Sequence, residues 1–130
     1  MFEKTIKISG KPYKMRASAL FKTQYTIYFD KKIENELEQI KKLIQKIKEY
    51  NLETNKNFEN LSSSAKQEFL KLNDEVATIA TKIAWILCKC GEKTFNMDFE
   101  DFLNTITDYD WILEVVALAG NTFCGWKLNV

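Results

Sequence analysis

The feature that most constrains the fold is a long apolar helix pattern in the second half of the chain. Residues 65–90 carry apolar side chains at helical spacing, and residues 77–90 are apolar on most sides. A helix that is apolar all round must be covered by other elements. We expect a serine at 62–64 to cap it and Gly91 to end it in the left-handed conformation. The pattern therefore predicts a central helix.

The N-terminal stretch TIKISGKPYKMRAS, residues 5–18, predicts a β-hairpin. Gly10 supplies the backbone freedom that the turn needs. Alternation of period two puts four apolar side chains on one face and basic side chains on the other. The apolar four are Ile6, Ile8, Tyr13 and Met15. Because a lone hairpin is barely stable in water, this face is expected to pack on the helices.

Four further helices are predicted from apolar spacing and capping residues. Ser18 is expected to cap the first, Asp98 a short later one, and Asp108 the last, which Gly120 closes. The first has a broad apolar face: Leu20, Phe21, Tyr25, Tyr28 and Phe29. The fold expected is mainly α, an N-terminal β-hairpin followed by about five helices in a single domain. Its parts are a hairpin (1–17), helices (18–50), a linker (51–64), and a helical core with a C-terminal tail (65–130).

The second predicted helix carries a narrow apolar seam. Its residues recur at spacings of four, three, four and three: Ile33, Leu37, Ile40, Ile44 and Ile47. Such a seam can contact a helix of another chain or pack within the same chain. It holds about two heptads, fewer than the three or four that indicate a coiled coil. This length favours a helical hairpin with residues 65–90.

The residue types argue against catalysis, metal binding and cofactor binding. The chain has no His, which removes the commonest general base and most zinc sites. Cys88 and Cys90 point about 200° apart on a helix, so they do not share a metal. The acidic residues of 98–110 lack the spacing of a calcium loop. We expect no enzyme, and no catalytic, metal or cofactor residues.

Charge divides the two ends of the chain. The N-terminal region is basic, whereas residues 94–126 carry acidic side chains and neither Lys nor Arg. This asymmetry marks an interaction surface, or two solvated faces that happen to differ in sign, or two faces that attract each other within one fold. The net charge is +1 and Arg16 is the only Arg, which argues against nucleic acid as a partner. No signal-peptide or membrane-span pattern is present, so a cytoplasmic location is expected.

The order of these segments resembles the small tail assembly chaperones of tailed bacteriophages and prophage elements. The segment IKISGKPYKMR at 6–16 is similar to their opening hairpin, and ALFKTQYTIYF at 19–29 to their aromatic helix. NMDFEDFLNTI at 96–106 is similar to their acidic, aromatic stretch, which a Trp-containing helix follows. The likeness covers residues 5–29 and 76–119. Residues 30–75 depart from it, because the turn after the first helix lacks the usual glycine and the seam helix looks extended.

The resemblance implies a function without catalysis. Such proteins act in the cytoplasm of the infected cell, escort the tape measure protein and recruit tail tube subunits, without nucleic acid or membrane as partners. A homo-oligomer is compatible with this function. The candidate interface residues are Lys7, Lys14 and Arg16 on the hairpin, and Ile33, Leu37, Ile40, Ile44 and Ile47 on the seam. Two alternatives stay open: a structural tail or neck component of the virion, and a small helical nucleic-acid-binding regulator.

Overall fold

A two-stranded β-hairpin precedes five helices in the computed structural model, which describes residues 2–54 and 62–126. The elements are β1 (Glu3–Ile8), β2 (Lys11–Arg16), α1 (Ala19–Phe29), α2 (Ile33–Thr54), α3 (Ser63–Gly91), α4 (Phe99–Thr105) and α5 (Ile112–Phe123). The predicted fold class, mainly α with an N-terminal hairpin, is confirmed. In the described ranges, no helix combines the length and apolar character needed to cross a membrane.

Helix α3 is the central element, as its apolar pattern predicts. It contacts β2 and all four other helices. From Ala80 to Cys88 every side chain except that of Lys82 is buried. Ser62 caps the helix, since its side chain accepts a hydrogen bond of 3.2 Å from the Ala65 N–H. Burial on nearly all sides explains why this segment needs so few polar residues.

The hairpin packs its apolar face on the helices, as its alternation predicts. Ile6 pairs with Tyr13 across the antiparallel strands. Ser9 and Gly10 form the two-residue turn with φ of 52° and 83°, the left-handed conformation of a type I′ hairpin. All four residues predicted for the inner face are buried: Ile6, Ile8, Tyr13 and Met15.

Two glycines have roles other than the predicted helix ends. Gly91 is the last residue of α3, and Glu92 takes the C-cap position in an extended conformation. A Cβ at Gly91 would overlap the Lys14 carbonyl, so glycine is needed because β2 crosses the helix there. Gly120 lies inside α5, where a Cβ would overlap the Trp126 ring.

Other predicted boundaries are partly right. Asp98 caps α4, accepting a hydrogen bond of 2.8 Å from the Asp101 N–H. Asp108 does not cap α5, because Trp111 takes that position and donates its indole N–H to the Asp108 carbonyl at 2.7 Å. Residues 51–54 of the predicted linker belong to α2, and 55–61 lie outside the described residues.

Ser18 takes the N-cap position of α1 without a side-chain capping hydrogen bond. Asp30 ends this helix in the left-handed conformation and donates its N–H to the Thr26 carbonyl. The start of α1 is therefore fixed by packing of its buried side chains, with no contribution from the serine hydroxyl.

Replacing Gly91 by Ala should destabilise the protein by about 1–3 kcal/mol, the usual cost of overpacking. The added methyl group meets backbone atoms of Lys14 and Met15, which do not rotate away. In an unobstructed helix the same change stabilises by about 0.5–1 kcal/mol. The sign of the change in stability therefore shows whether β2 crosses close to Gly91. Urea unfolding of the variant and the wild type measures it.

Gly120→Ala is the matched control for that measurement. Its methyl group meets only the Trp126 side chain among the nearest atoms, and a side chain can change rotamer. We expect a smaller loss of stability than for Gly91→Ala. A stabilising effect of Gly91→Ala would contradict the close crossing of β2 over α3.

Candidate interaction surfaces

The seam of α2 lies mainly inside the protein. Ile33, Leu37 and Ile40 are fully buried in the main core. Ile44 and Ile47 are partly buried against a smaller cluster formed by Leu43, Leu72 and Val76. Because α2 packs on α3, the intramolecular interpretation of the seam is confirmed. A partner could reach the three buried seam residues only if α2 separated from α3.

The basic candidates of the hairpin lie together on its solvent-exposed face. Lys7, Lys14 and Arg16 are all exposed. The Lys14 ammonium lies 3.2 Å from the Glu3 carboxylate, an ion pair across the two strands. Among the described residues, Lys7 and Arg16 form no ion pair. These two side chains therefore supply unpaired positive charge on the outer face.

Part of the charge asymmetry between the chain ends is satisfied within the fold. Lys4 forms an ion pair of 3.2 Å with Glu114 of α5. The Ser9 hydroxyl accepts a hydrogen bond of 2.7 Å from the Thr107 N–H. Desolvation and the neighbouring Asp110 carboxyl raise the pKa of Asp108. The hairpin turn is thus attached to the acidic segment.

A buried polar pair fixes α1 on α2. The Tyr25 hydroxyl donates a hydrogen bond of 2.9 Å to the Glu36 carboxylate, and both side chains are buried. Burial and the Glu36 charge raise the pKa of the Tyr25 phenol far above its ordinary value. Near the protein surface, Lys22 of α1 and Glu34 of α2 add an ion pair of 2.7 Å.

An aromatic cluster formed by Tyr28, Phe29, Trp85 and Phe99 joins α1, α3 and α4. The Trp85 ring centre lies 4.9 Å from that of Tyr28 and 5.5 Å from that of Phe99. The Trp85 indole N–H donates to the Met97 carbonyl at 2.9 Å. The Lys89 ammonium lies 4.8 Å from the Trp85 ring centre and 5.1 Å from that of Tyr28. The positive charge of Lys89 therefore lies beside the half-exposed ring of Tyr28.

Helix α1 presents a row of apolar side chains to solvent, here called the α1 row: Leu20, Ile27 and Tyr28. Their exposed fractions are 55%, 72% and 51%. The sequence assigned Leu20 and Tyr28 to one broad apolar face of α1 together with buried residues, and it did not include Ile27. Phe21 and Tyr25 fill the core side of α1 instead. One feature of the sequence does indicate exposure: the apolar face of α1 is wider than the surface that one neighbouring helix covers.

The cysteines do not form a reactive or metal-binding group in the described residues. Cys88 is buried and Cys90 is half buried, and burial raises the pKa of both thiols. Within residues 2–54 and 62–126, no three His, Cys, Asp or Glu side chains are arranged to hold a metal ion. The thiols at these positions fill space in or near the core.

Comparison of the chain with protein-family models, with curated proteins and with solved structures finds no match. Two exposed surfaces are the candidates for binding a partner. One is the basic outer face of the hairpin, which the sequence predicts, and the other is the α1 row, which it does not.

Replacing Tyr25 by Phe should lower the free energy of unfolding by about 1–3 kcal/mol at pH 7, because the buried Glu36 carboxylate loses a hydrogen-bond donor. Chemical denaturation of wild type and variant measures the loss. Tyr28→Phe is the matched control, since its ring is half exposed and its hydroxyl group forms no hydrogen bond with residues 2–54 and 62–126.

The same pair predicts a pH dependence. The ordinary pKa of Tyr is 10.0 and that of Tyr25 is raised in the folded protein. Above pH 10 the unfolded chain loses this proton while the folded protein keeps it. The free energy of unfolding should then fall by up to about 1.4 kcal/mol per pH unit from this group. Tyr25→Phe should show a shallower decline than wild type between pH 9 and 11, and equal slopes would contradict the prediction.

Proposed function

We propose that the protein is a non-catalytic tail assembly chaperone of a tailed bacteriophage or prophage. In this role it binds the tape measure protein and recruits tail tube subunits in the cytoplasm of the infected cell. The resemblance of its segments to that family supports the proposal. The structural observation that carries it is the α1 row, in which three exposed large apolar side chains lie on one helix and include the most exposed of them, Ile27 at 72%.

The α1 row has the chemistry that an apolar helical partner requires. Leu20 and Ile27 are seven residues apart, so they lie on one side of α1 about two turns from each other. Helix-in-groove recognition uses anchors at this spacing. Before assembly a long helical tape measure protein exposes apolar faces of the matching kind. Covering such faces keeps the partner from aggregating.

The charges beside the row favour binding that can be reversed. Ile27 borders a groove that is also lined by Lys32 and by the Lys22–Glu34 ion pair, and Lys89 lies beside Tyr28. Positive charge at the edge of an apolar contact attracts acidic side chains of a partner and sets its orientation. A chaperone must release its client when the tail tube forms. A small apolar contact with a charged rim is suited to that release.

The α1 row is tested by co-expressing the chain with the tape measure protein of the same genome and purifying the complex. Wild type should yield a soluble, stoichiometric complex. Ile27→Asp should weaken binding at least tenfold, as expected for an anchor residue of an interface. Leu70→Asp is the control, because Leu70 is also exposed, at 54%, but lies on α3.

Two results, one from this experiment and one from a separate measurement, would contradict the proposal. The first is that no complex forms and the tape measure protein stays aggregated. The second is that the protein is found in purified virions by mass spectrometry, which identifies a structural tail or neck component. Equal loss of binding in both variants would instead refute the α1 row as the contact surface.

The outer face of the hairpin is a second predicted contact. Lys14→Glu combined with Arg16→Glu should weaken binding of the tape measure protein, and the loss should shrink as salt rises, because exposed charges are screened. Lys42→Glu combined with Lys71→Glu, at exposed positions on α2 and α3, is the control because it makes the same change in net charge. Binding that is unchanged by the hairpin reversal would remove this face from the interface.

A further inference from the structure

Backbone hydrogen bonding divides the residues of β1 into two sets. The Phe2 carbonyl accepts a hydrogen bond of 2.7 Å from the Ala17 N–H, which extends the ladder beyond the strand ends. Alternate residues of an antiparallel strand point their N–H and C=O groups toward the partner strand. The even-numbered residues of β1 therefore bond to β2. Glu3, Thr5 and Lys7 direct their backbone groups to the opposite edge.

The outer edge of β2 is closed. Pro12 pairs with Lys7 in the register, so its nitrogen faces the outer edge, where it has no N–H to donate. The Lys14 carbonyl, which also faces outward, lies against Gly91 of α3. An added strand would find neither a free donor at Pro12 nor space at Lys14. Strand addition at this edge is excluded.

The outer edge of β1 is open. Glu3, Thr5 and Lys7 are exposed. In the described residues, no hydrogen bond links their outward N–H and C=O groups to another part of the protein. An unpaired strand edge of this kind is a template for pairing with another strand. The six residues of β1 are long enough to form such a pair.

We propose that β1 pairs antiparallel with β1 of a second copy of this chain, about a two-fold axis at Thr5. In this register Glu3 lies opposite Lys7 of the partner subunit, and Lys7 opposite Glu3 of the partner subunit. Thr5 lies opposite its own symmetry mate. Opposite charges and Thr–Thr pairs both stabilise directly opposed positions. The two hairpins then form one four-stranded sheet.

The charge pattern selects this register among the symmetric ones. Residues whose backbone groups point away from β2 can bond only to residues of the same kind in the second copy. Every possible register therefore places odd-numbered residues opposite odd-numbered residues. Centring the axis on Glu3 or on Lys7 places like charges opposite each other. Centring it on Lys4 or Ile6 pairs Thr5 with a charged residue and leaves neither Glu3 nor Lys7 opposite an opposite charge. The Thr5 axis is the register that pairs all three outward residues with a complement, and an isologous dimer requires such self-complementarity.

The proposal does not depend on the tape measure protein. Sedimentation velocity of the purified chain, from about 10 µM to about 1 mM, covers the range in which small interfaces associate. Wild type should show a concentration-dependent monomer–dimer equilibrium. Glu3→Lys and Lys7→Glu should each raise the dimer dissociation constant about tenfold, because each puts two pairs of like charges in contact.

The double variant Glu3→Lys with Lys7→Glu is the decisive measurement, since it restores opposite charges in the Thr5 register. It should return the dissociation constant to within about threefold of wild type. Lys14→Gln is the control, because it removes the ion pair between Glu3 and Lys14 within one chain and should leave dimerisation unchanged. Thr5→Pro removes an outward N–H that the hairpin does not use, and should abolish the dimer while circular dichroism retains the wild-type spectrum.

A wild type that stays monomeric at every concentration overturns the proposal, and leaves the β1 edge to a strand of another protein. A double variant as weak as the single ones overturns the register. Dimerisation that survives Thr5→Pro places the contact elsewhere on the surface.

Discussion

The fold depends on the direct contact between the backbone of β2 and the end of α3. Gly91 allows it, because the Lys14 carbonyl and the Met15 Cα occupy the space of a side chain. The contact brings the apolar face of the hairpin into the core. Each large apolar side chain that is fully buried contributes roughly 1.5–3 kcal/mol. A hairpin that is marginal alone thereby becomes part of a stable domain.

The same contact decides which surfaces remain available. With β2 held on α3, one sheet edge is closed and the edge of β1 faces outward. The turn is fixed separately, because Ser9 bonds to Thr107, and β1 is fixed by the ion pair between Lys4 and Glu114 of α5. Part of the opposite charge at the two chain ends therefore stabilises the fold. The basic side chains that form no ion pair among the described residues, notably Lys7 and Arg16, remain available to a partner.

Local patterns predicted the elements, and contacts distant in sequence decided their details. Period two identified the hairpin and its buried face, and helical spacing identified α3 as central. The roles of Gly91 and Gly120 were not predictable, since a glycine beneath a crossing strand looks like a helix-ending glycine in sequence. Residues 51–54 are polar apart from Leu52 and yet helical, and composition alone does not separate such a helix end from a linker. For α1, spacing defines an apolar face but not which part of it a neighbour covers.

The candidate interface changed for the same reason. A regular seam such as Ile33, Leu37 and Ile40 has the periodicity of a partner-binding helix, but α3 covers it within the chain. Apolar residues outside such a regular seam are left exposed in this protein, and the residues of the α1 row are among them. The proposed dimer edge and the α1 row lie on different elements, so pairing through β1 need not use the α1 row. A two-fold dimer would present two such rows, and a long repetitive helical partner would gain affinity from engaging both at once.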